Sequence, residues 1–199
     1  MQRLIIGIGG GIGSGKSSIA RIFSVMGFPV FDSDIHAKKL YLNHEIKKKV
    51  IYLLGDKAYD EHGKAERNYI ASVVFQNPKL LDSLNQIIHP AVKNDFEIWC
   101  NNYPVSTPVI KESALLFELG LYKECTFSIM VDAEKKIRIA RVMKRDGVTA
   151  ESVDSRINNQ KDPKLYYKEA DLLILNDNST LITPMLLNWI EKLYNQKNK

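Results

Sequence analysis

The sequence predicts an α/β fold built around a five-stranded parallel sheet, and three observations carry that prediction. Five short apolar stretches recur along the chain: Leu4-Ile5-Ile6-Gly7-Ile8, Phe28-Pro29-Val30-Phe31, Pro108-Val109-Ile110, Phe127-Ser128-Ile129-Met130-Val131 and Leu172-Leu173-Ile174-Leu175. Each is followed by a segment with helical periodicity, and strands alternating with helices specify parallel pairing with both faces covered. A glycine-rich loop joins the first strand to the first helix, and the long stretch between the second and third strands carries helical patterns alone.

The first strand runs into Gly10-Gly11-Ile12-Gly13-Ser14-Gly15-Lys16-Ser17, which fills G-x-x-x-x-G-K-S/T, and Ser17 to Phe23 continues as an amphipathic helix. A loop of this type at a helix N-terminus is a phosphate cradle. Backbone N–H groups and the positive end of the helix dipole meet the anion, and glycines let the backbone close around it. Gly11, Ile12, Gly13, Ser14, Gly15, Lys16, Ser17 and Ser18 are therefore the expected ATP-binding residues, Lys16 reaching the β- and γ-phosphates and Ser17 placing its hydroxyl on Mg²⁺. The fold class is then that of a P-loop NTPase in three layers, with a helical insertion and a lid.

The second strand ends in Phe31-Asp32-Ser33-Asp34. In a parallel sheet the C-terminal strand ends face the ligand crevice, so these carboxylates fall on the side of the phosphate loop. One can accept the proton of an acceptor hydroxyl and another can help hold Mg²⁺, or both can cap the helix that begins near Ile35. Asp34 is the candidate base and Asp32 the candidate metal-supporting group. The insertion reads as helices from about Ala37 to Leu54, Arg67 to Gln76 and Pro78 to Trp99, broken at Gly55, Gly63 and Pro78. Pro90 biases His89 towards extended backbone, making it either a fixed hydrogen-bonding group at a helix break or a turn residue.

Asp132 ends the fourth strand, where it can serve as a magnesium-supporting carboxylate but reads better as the cap of a helix beginning at Ala133. Arg138, Arg141 and Arg145 in that helix share one face by their three- and four-residue spacing. Such a face either folds over a triphosphate as a lid or is simply solvated. Two motif look-alikes, Asn159-Gln160-Lys161-Asp162 and Asp60-Glu61-His62-Gly63, match guanine-nucleotide signatures but do not terminate strands, and are set aside.

Bulk properties fit an enzyme for polyanions without demanding one. The chain has 199 residues, 45% of them hydrophobic, which is enough for a sizeable core, and 28 basic against 23 acidic residues give a net charge of +5. No apolar run is long enough to cross a bilayer and no export signal is evident, so a cytoplasmic protein that needs neither membrane nor nucleic acid is expected. Cys100 and Cys125 lack metal-binding spacing and are expected to be reduced and structural, and the lysine-rich end after Leu193 to be frayed.

Taken in order, these blocks resemble the dephospho-coenzyme A kinase family over nearly the whole chain. The family pattern T-G-G-I-G-S-G-K-S appears as Gly9 to Ser17, D-x-D-x-x-A-R/K as Asp32 to Lys38, and L-E/N-x-I-x-H-P-x-V as Leu84 to Val92. L-L-F/V-E appears as Leu115 to Glu118, and the lid sequence R-x-x-x-R-D as Arg141 to Asp146. Gly9 stands where threonine is usual, and Glu112-Ser113-Ala114-Leu115-Leu116 replaces D-x-P-L-L. The resemblance implies transfer of the ATP γ-phosphoryl group to the ribose 3′-hydroxyl of dephospho-coenzyme A, with Mg²⁺ as cofactor, by a monomer or weak homo-oligomer. It implies Arg141 as an ATP ligand, Arg145 as charge stabiliser beside Lys16 and Asp34, and His89, Leu116 and Phe117 at the acceptor. Other kinases of nucleosides or their monophosphates, or a slow nucleotide switch, would share the loop. A single domain is expected, with a core over 1–34, 105–133 and 162–199, an acceptor region over 35–104 and a lid over 134–161.

Overall fold

The computed structural model describes residues 3–197. The elements run β1 (Ile5–Gly9), α1 (Lys16–Val25), β2 (Val30–Asp32), α2 (Ser33–Leu40), α3 (His44–Leu54), α4 (Arg67–Phe75), α5 (Pro78–Cys100), β3 (Val109–Glu112), β4 (Phe127–Asp132), α6 (Lys135–Asp146), α7 (Ala150–Asn158), β5 (Leu172–Leu175) and α8 (Ile182–Lys197). The strands form one sheet in the order β2-β3-β1-β4-β5. Ile8 of β1 lies opposite Glu112 of β3 on one side and Ile129 of β4 on the other, both pairings parallel. This register brings the ends of β1, β3 and β4 level, so that the loops leaving the three strands meet at one edge.

The chain divides into two compact units, residues 1–30 with 105–199 and residues 31–104, and the division falls within β2. In the first unit β1 shows why its sequence alternates isoleucine and glycine. Ile6 and Ile8 are buried with Ile110, Ile129, Val131 and Ile174 of the neighbouring strands, against Ile19 and Phe23 of α1 and Leu186 and Ile190 of α8. On the other face a Cβ at Gly7 would come within 2.9 Å of Leu116 and one at Gly9 within 2.5 Å of the Phe117 ring. The glycine found where threonine is usual is therefore a packing requirement: the Phe117 ring fills the space of a side chain at position 9.

The link from β3 to β4 departs from expectation. Residues 113–126 form turns and a short 3₁₀ helix, Leu121–Glu124, instead of an α-helix. Leu116 and Phe117 tuck under the sheet with Met130 there, and the buried pair absorbs the apolar periodicity that reads as a helix face.

The second unit is helical, with its own core of Ile46, Val50, Leu54, Ile70, Val74, Leu84 and Ile88. The pattern expected as one helix from Ala37 to Leu54 is two, because the Asn43 side chain accepts hydrogen bonds from the Glu45 and Ile46 amides and caps a fresh start for α3. The expected break before Pro90 does not occur. Helix α5 passes straight through it, so His89 is helical rather than extended. Proline frees the Gln86 carbonyl at a cost of about 3 kcal/mol, which burial of Leu84, Ile88, Phe96 and Cys100 on one face of the helix outweighs. The Asp60 look-alike closes a local turn, its carboxylate accepting from the His62 and Lys64 amides. Helix α8 continues past Leu193 to Lys197, so the expected fraying there is not seen; residues 198 and 199 lie outside the described residues.

Candidate active site

Helix α1 starts at Lys16 with Gly15 before it in the left-handed region, φ 99°, and no side chain caps its first amides. Within the loop, the Ser14 amide donates to the Gly11 carbonyl at 3.2 Å, and Lys16 Nζ arches back to the same carbonyl at 3.4 Å. The Ser14 side chain is fully buried, so its service to a phosphate is through its backbone. Ser17 Oγ donates to Glu112 Oε1 at 2.7 Å, and Glu112 is itself buried at the end of β3. The longer carboxylate found at that strand end thus reaches the very hydroxyl expected on Mg²⁺. A hydroxyl beside a buried carboxylate is a set of hard oxygen donors, which suits that ion.

Two side chains, Asn176 directly after β5 and Arg141 of α6, brace the loop from behind. Arg141 donates to the Ser14 carbonyl at 3.2 Å and, through its other terminal nitrogen, to the Asn176 carbonyl and side chain at 3.0 and 3.1 Å. Asn176, directly after β5, returns a hydrogen bond from Nδ2 to the Ser14 carbonyl at 2.9 Å. Both act on the carbonyl of a residue that the loop motif already contains. No motif in the sequence singles out Asn176, although the rule that points to Asp32 and Asp132, that strand ends face the ligand, applies to it equally.

The arginine face does not stay together. Arg138 is buried, Arg141 is half-buried and only Arg145 is exposed, held by the adjacent Asp146 through bonds of 2.6 and 2.9 Å. Burial pulls the Arg138 guanidinium below the usual arginine range, and the carboxylates of Asp132 and Asp162 oppose that. Asp132 is not a helix cap: α6 begins at Lys135 after Glu134, with no side-chain cap. Instead Asp132 Oδ2 accepts from the Tyr167 hydroxyl at 2.6 Å, and Oδ1 lies 3.7 Å from Arg138. Burial itself and the buried carboxylate raise the Tyr167 phenol well above the ordinary tyrosine range. Asp132, Arg138, Gln160 and Tyr167 line a cavity of about 840 Å³ at the base of the α6–α7 pair. The two helices are tied by Lys135 to Asp154 at 2.5 Å and Arg156 to Asp146 at 3.6 Å.

In the second unit, Asp32 Oδ1 accepts from the Ile35 amide at 2.9 Å and caps α2, while Asp34 stands exposed in the first turn of that helix. His89 lies half-buried on α5, and desolvation lowers its pKa below 6.5. Leu116 and Phe117 are buried, 0% and 4% exposed, so as they stand they shape the floor beneath β1 instead of offering surface to a ligand. Both cysteines are free thiols, and burial pushes Cys125 up to about 11. Among the described residues no helix is long and apolar enough to cross a membrane.

A phosphate loop between β1 and α1, in a parallel sheet of order β2-β3-β1-β4-β5, defines a P-loop kinase fold. A family model for dephospho-CoA kinase matches residues 4–181, and the chain belongs to that family. It is 39% identical to the dephospho-CoA kinase of Porphyromonas gingivalis over 190 residues, 94% of this chain and 93% of that one. Its fold is similar to the crystal structure of TT1252 from Thermus thermophilus, with a TM-score of 0.83, 27% identity and 98% of each chain covered. It is similar also to the dephospho-CoA kinase of Campylobacter jejuni, with a TM-score of 0.66, 22% identity and 98% of each chain covered, a likeness of fold.

Proposed function

We propose that this chain transfers the γ-phosphoryl group of ATP to the ribose 3′-hydroxyl of dephospho-coenzyme A, the last step of coenzyme A biosynthesis. The observation that carries the reading is the assembled loop, with Lys16 over it and Ser17 fastened to a buried carboxylate, in a chain of this family. Phosphoryl transfer needs positioning and charge neutralisation more than covalent chemistry. Lys16 and the loop amides other than that of Ile12, which Gln160 Oε1 engages at 2.8 Å, hold the phosphates. Ser17, with Glu112 behind it and Asp32 as the other candidate carboxylate, would hold Mg²⁺, which when bound neutralises charge on the β- and γ-oxygens. Asp34, exposed in the first turn of α2, is the group read as accepting the proton of the attacking hydroxyl. Arg141 fixes the nucleotide end of the loop. Arg145 stabilises the transferring charge once it leaves Asp146, a surface pair that costs little to exchange. His89 is the acceptor contact read in the second unit, and Leu116 and Phe117 shape the floor beneath β1 in the first.

Dephospho-coenzyme A, AMP, adenosine and GMP offered together at equal concentration with ATP and Mg²⁺ test the reading, with products resolved by mass spectrometry. Dephospho-coenzyme A is expected to be phosphorylated far ahead of the others, because its long arm supplies remote binding energy that orients the ribose hydroxyl. Preferential phosphorylation of AMP would overturn the acceptor, and no transfer at all would overturn the kinase. Lys16→Ala should abolish transfer without lowering the melting temperature.

A further inference from the structure

The Asn159-Gln160-Lys161-Asp162 segment, set aside as a guanine-nucleotide look-alike, has a different use in this fold. Asp162 caps the short 3₁₀ helix Pro163–Tyr166 through the Lys164 amide. Gln160, just past the end of α7, turns back onto the phosphate loop. Its Oε1 accepts from the Ile12 amide at 2.8 Å and from Arg138 at 3.4 Å. Arg138 Nε in turn donates to the Ile12 carbonyl at 2.9 Å. Both backbone polar groups of Ile12 are thereby held by side chains, and those side chains hold each other, in a closed ring.

The loop is cut to admit this ring. A Cβ at Gly11 would come within 2.3 Å of the Arg138 terminal nitrogen and 3.1 Å of Gln160 Oε1, and one at Gly13 within 2.5 Å of the Arg138 carbonyl. Two of the loop's glycines are needed for what lies behind the loop and not only for the phosphate in front of it. Arg138 itself is kept in place by Asp132 across 3.7 Å, so the ring is anchored at the end of β4.

We propose that Gln160 is a positioning residue for ATP binding: with Arg138 it holds the Ile12 peptide in one orientation, so that the phosphate loop is formed before nucleotide arrives. The inference rests on the reading of this loop as the ATP site. A loop whose competent shape is only fractionally populated binds with an affinity reduced by that fraction. Because Arg138 lies in the first turn of α6 and Gln160 just past the end of α7, the same ring ties that end of the helical pair to the loop.

Three proteins decide it: wild type, Gln160→Leu, which keeps the bulk and loses the acceptor, and Gln160→Glu, which keeps the acceptor and faces Arg138. ATP binding is measured by calorimetric titration, kinetics with dephospho-coenzyme A at saturation, and stability by thermal melting. Loss of one hydrogen bond of this kind predicts a dissociation constant for ATP raised about 3- to 10-fold in Gln160→Leu. Its KM for ATP should rise in parallel, while kcat at saturating ATP stays within about two-fold, because uniform binding is what has been removed. Gln160→Glu should bind ATP within about two-fold of wild type, since the acceptor that holds the Ile12 amide is restored. Gln160→Leu binding ATP as tightly as wild type overturns the inference, as does a melting temperature lowered with the affinity of the folded protein unchanged. Gln160→Glu binding as weakly as the leucine variant overturns it too. Wild type failing to bind ATP would instead overturn the nucleotide site itself.

Discussion

Two alanine substitutions, at glycines with the same backbone habit and different surroundings, measure how tightly the phosphate loop is braced. Gly15 and Gly147 both sit in the left-handed region, at φ 99° and 66°. A Cβ at Gly147, which ends α6, has nothing within 4 Å, whereas one at Gly15 would lie 2.1 Å from Asn176 Nδ2. Gly147→Ala therefore bears the conformational cost alone, about 1–2 kcal/mol. Gly15→Ala bears that cost and must also push Asn176 away, and with it the 2.9 Å hydrogen bond to the Ser14 carbonyl. That bond contributes about 1 kcal/mol, and the carbonyl keeps Arg141 as a second donor, so the total comes to about 2–4 kcal/mol with the residual crowding. In a chain of this size each kcal/mol moves the melting temperature by about 2–4 °C. The expected losses are then about 2–8 °C for Gly147→Ala and about 4–16 °C for Gly15→Ala. Differential scanning calorimetry without nucleotide reads both, and ATP titration should show weakened binding for Gly15→Ala alone. Equal melting temperatures for the two variants would refute the argument that Asn176 braces the loop at this point.

The carboxylates after β2 should separate by role: Asp34→Asn is expected to lower kcat by about 10²–10⁴ with stability and ATP binding intact. Asp32→Ala should cost about 0.5–2 kcal/mol of stability through the lost α2 cap, read by thermal melting. Glu112→Gln keeps a hydrogen-bond partner for Ser17 but removes the charge behind it, so half-maximal activity should require more Mg²⁺; an unchanged Mg²⁺ titration would leave Glu112 as a packing residue. Burial lowers the pKa of His89 below 6.5, so on acidification the unfolded chain takes up that proton first. The stability His89 contributes is whole above 6.5 and is lost as pH falls through its folded value, so wild type should lose more melting temperature between neutral and acid pH than His89→Gln does.

Much of this protein could be read from local pattern. The loop from Gly10 to Ser17 is legible because a phosphate cradle needs its donors consecutive in the chain, and the five strands because a buried parallel strand is a short apolar run whatever lies beside it. The order of the family blocks carried the same reading as far as the class of reaction. Where the sequence misled, a side chain's local and distant options competed. Asn43 splits a continuous helical pattern by capping, and Leu116 and Phe117 pack beneath β1 from a run of turns that does not form an α-helix. Arg138, Arg141 and Arg145 share a helix face by spacing, yet one is buried against Asp132, one spans Ser14 and Asn176, and one is on the surface. What holds the loop from behind was decided by tertiary structure alone, because Gln160 lies 148 residues from the Ile12 amide and Asn176 lies 162 from the Ser14 carbonyl. A hydrogen bond between such distant partners leaves no period or spacing in the chain, since it exists only once the parallel register of β1, β4 and β5 has brought their C-terminal ends together.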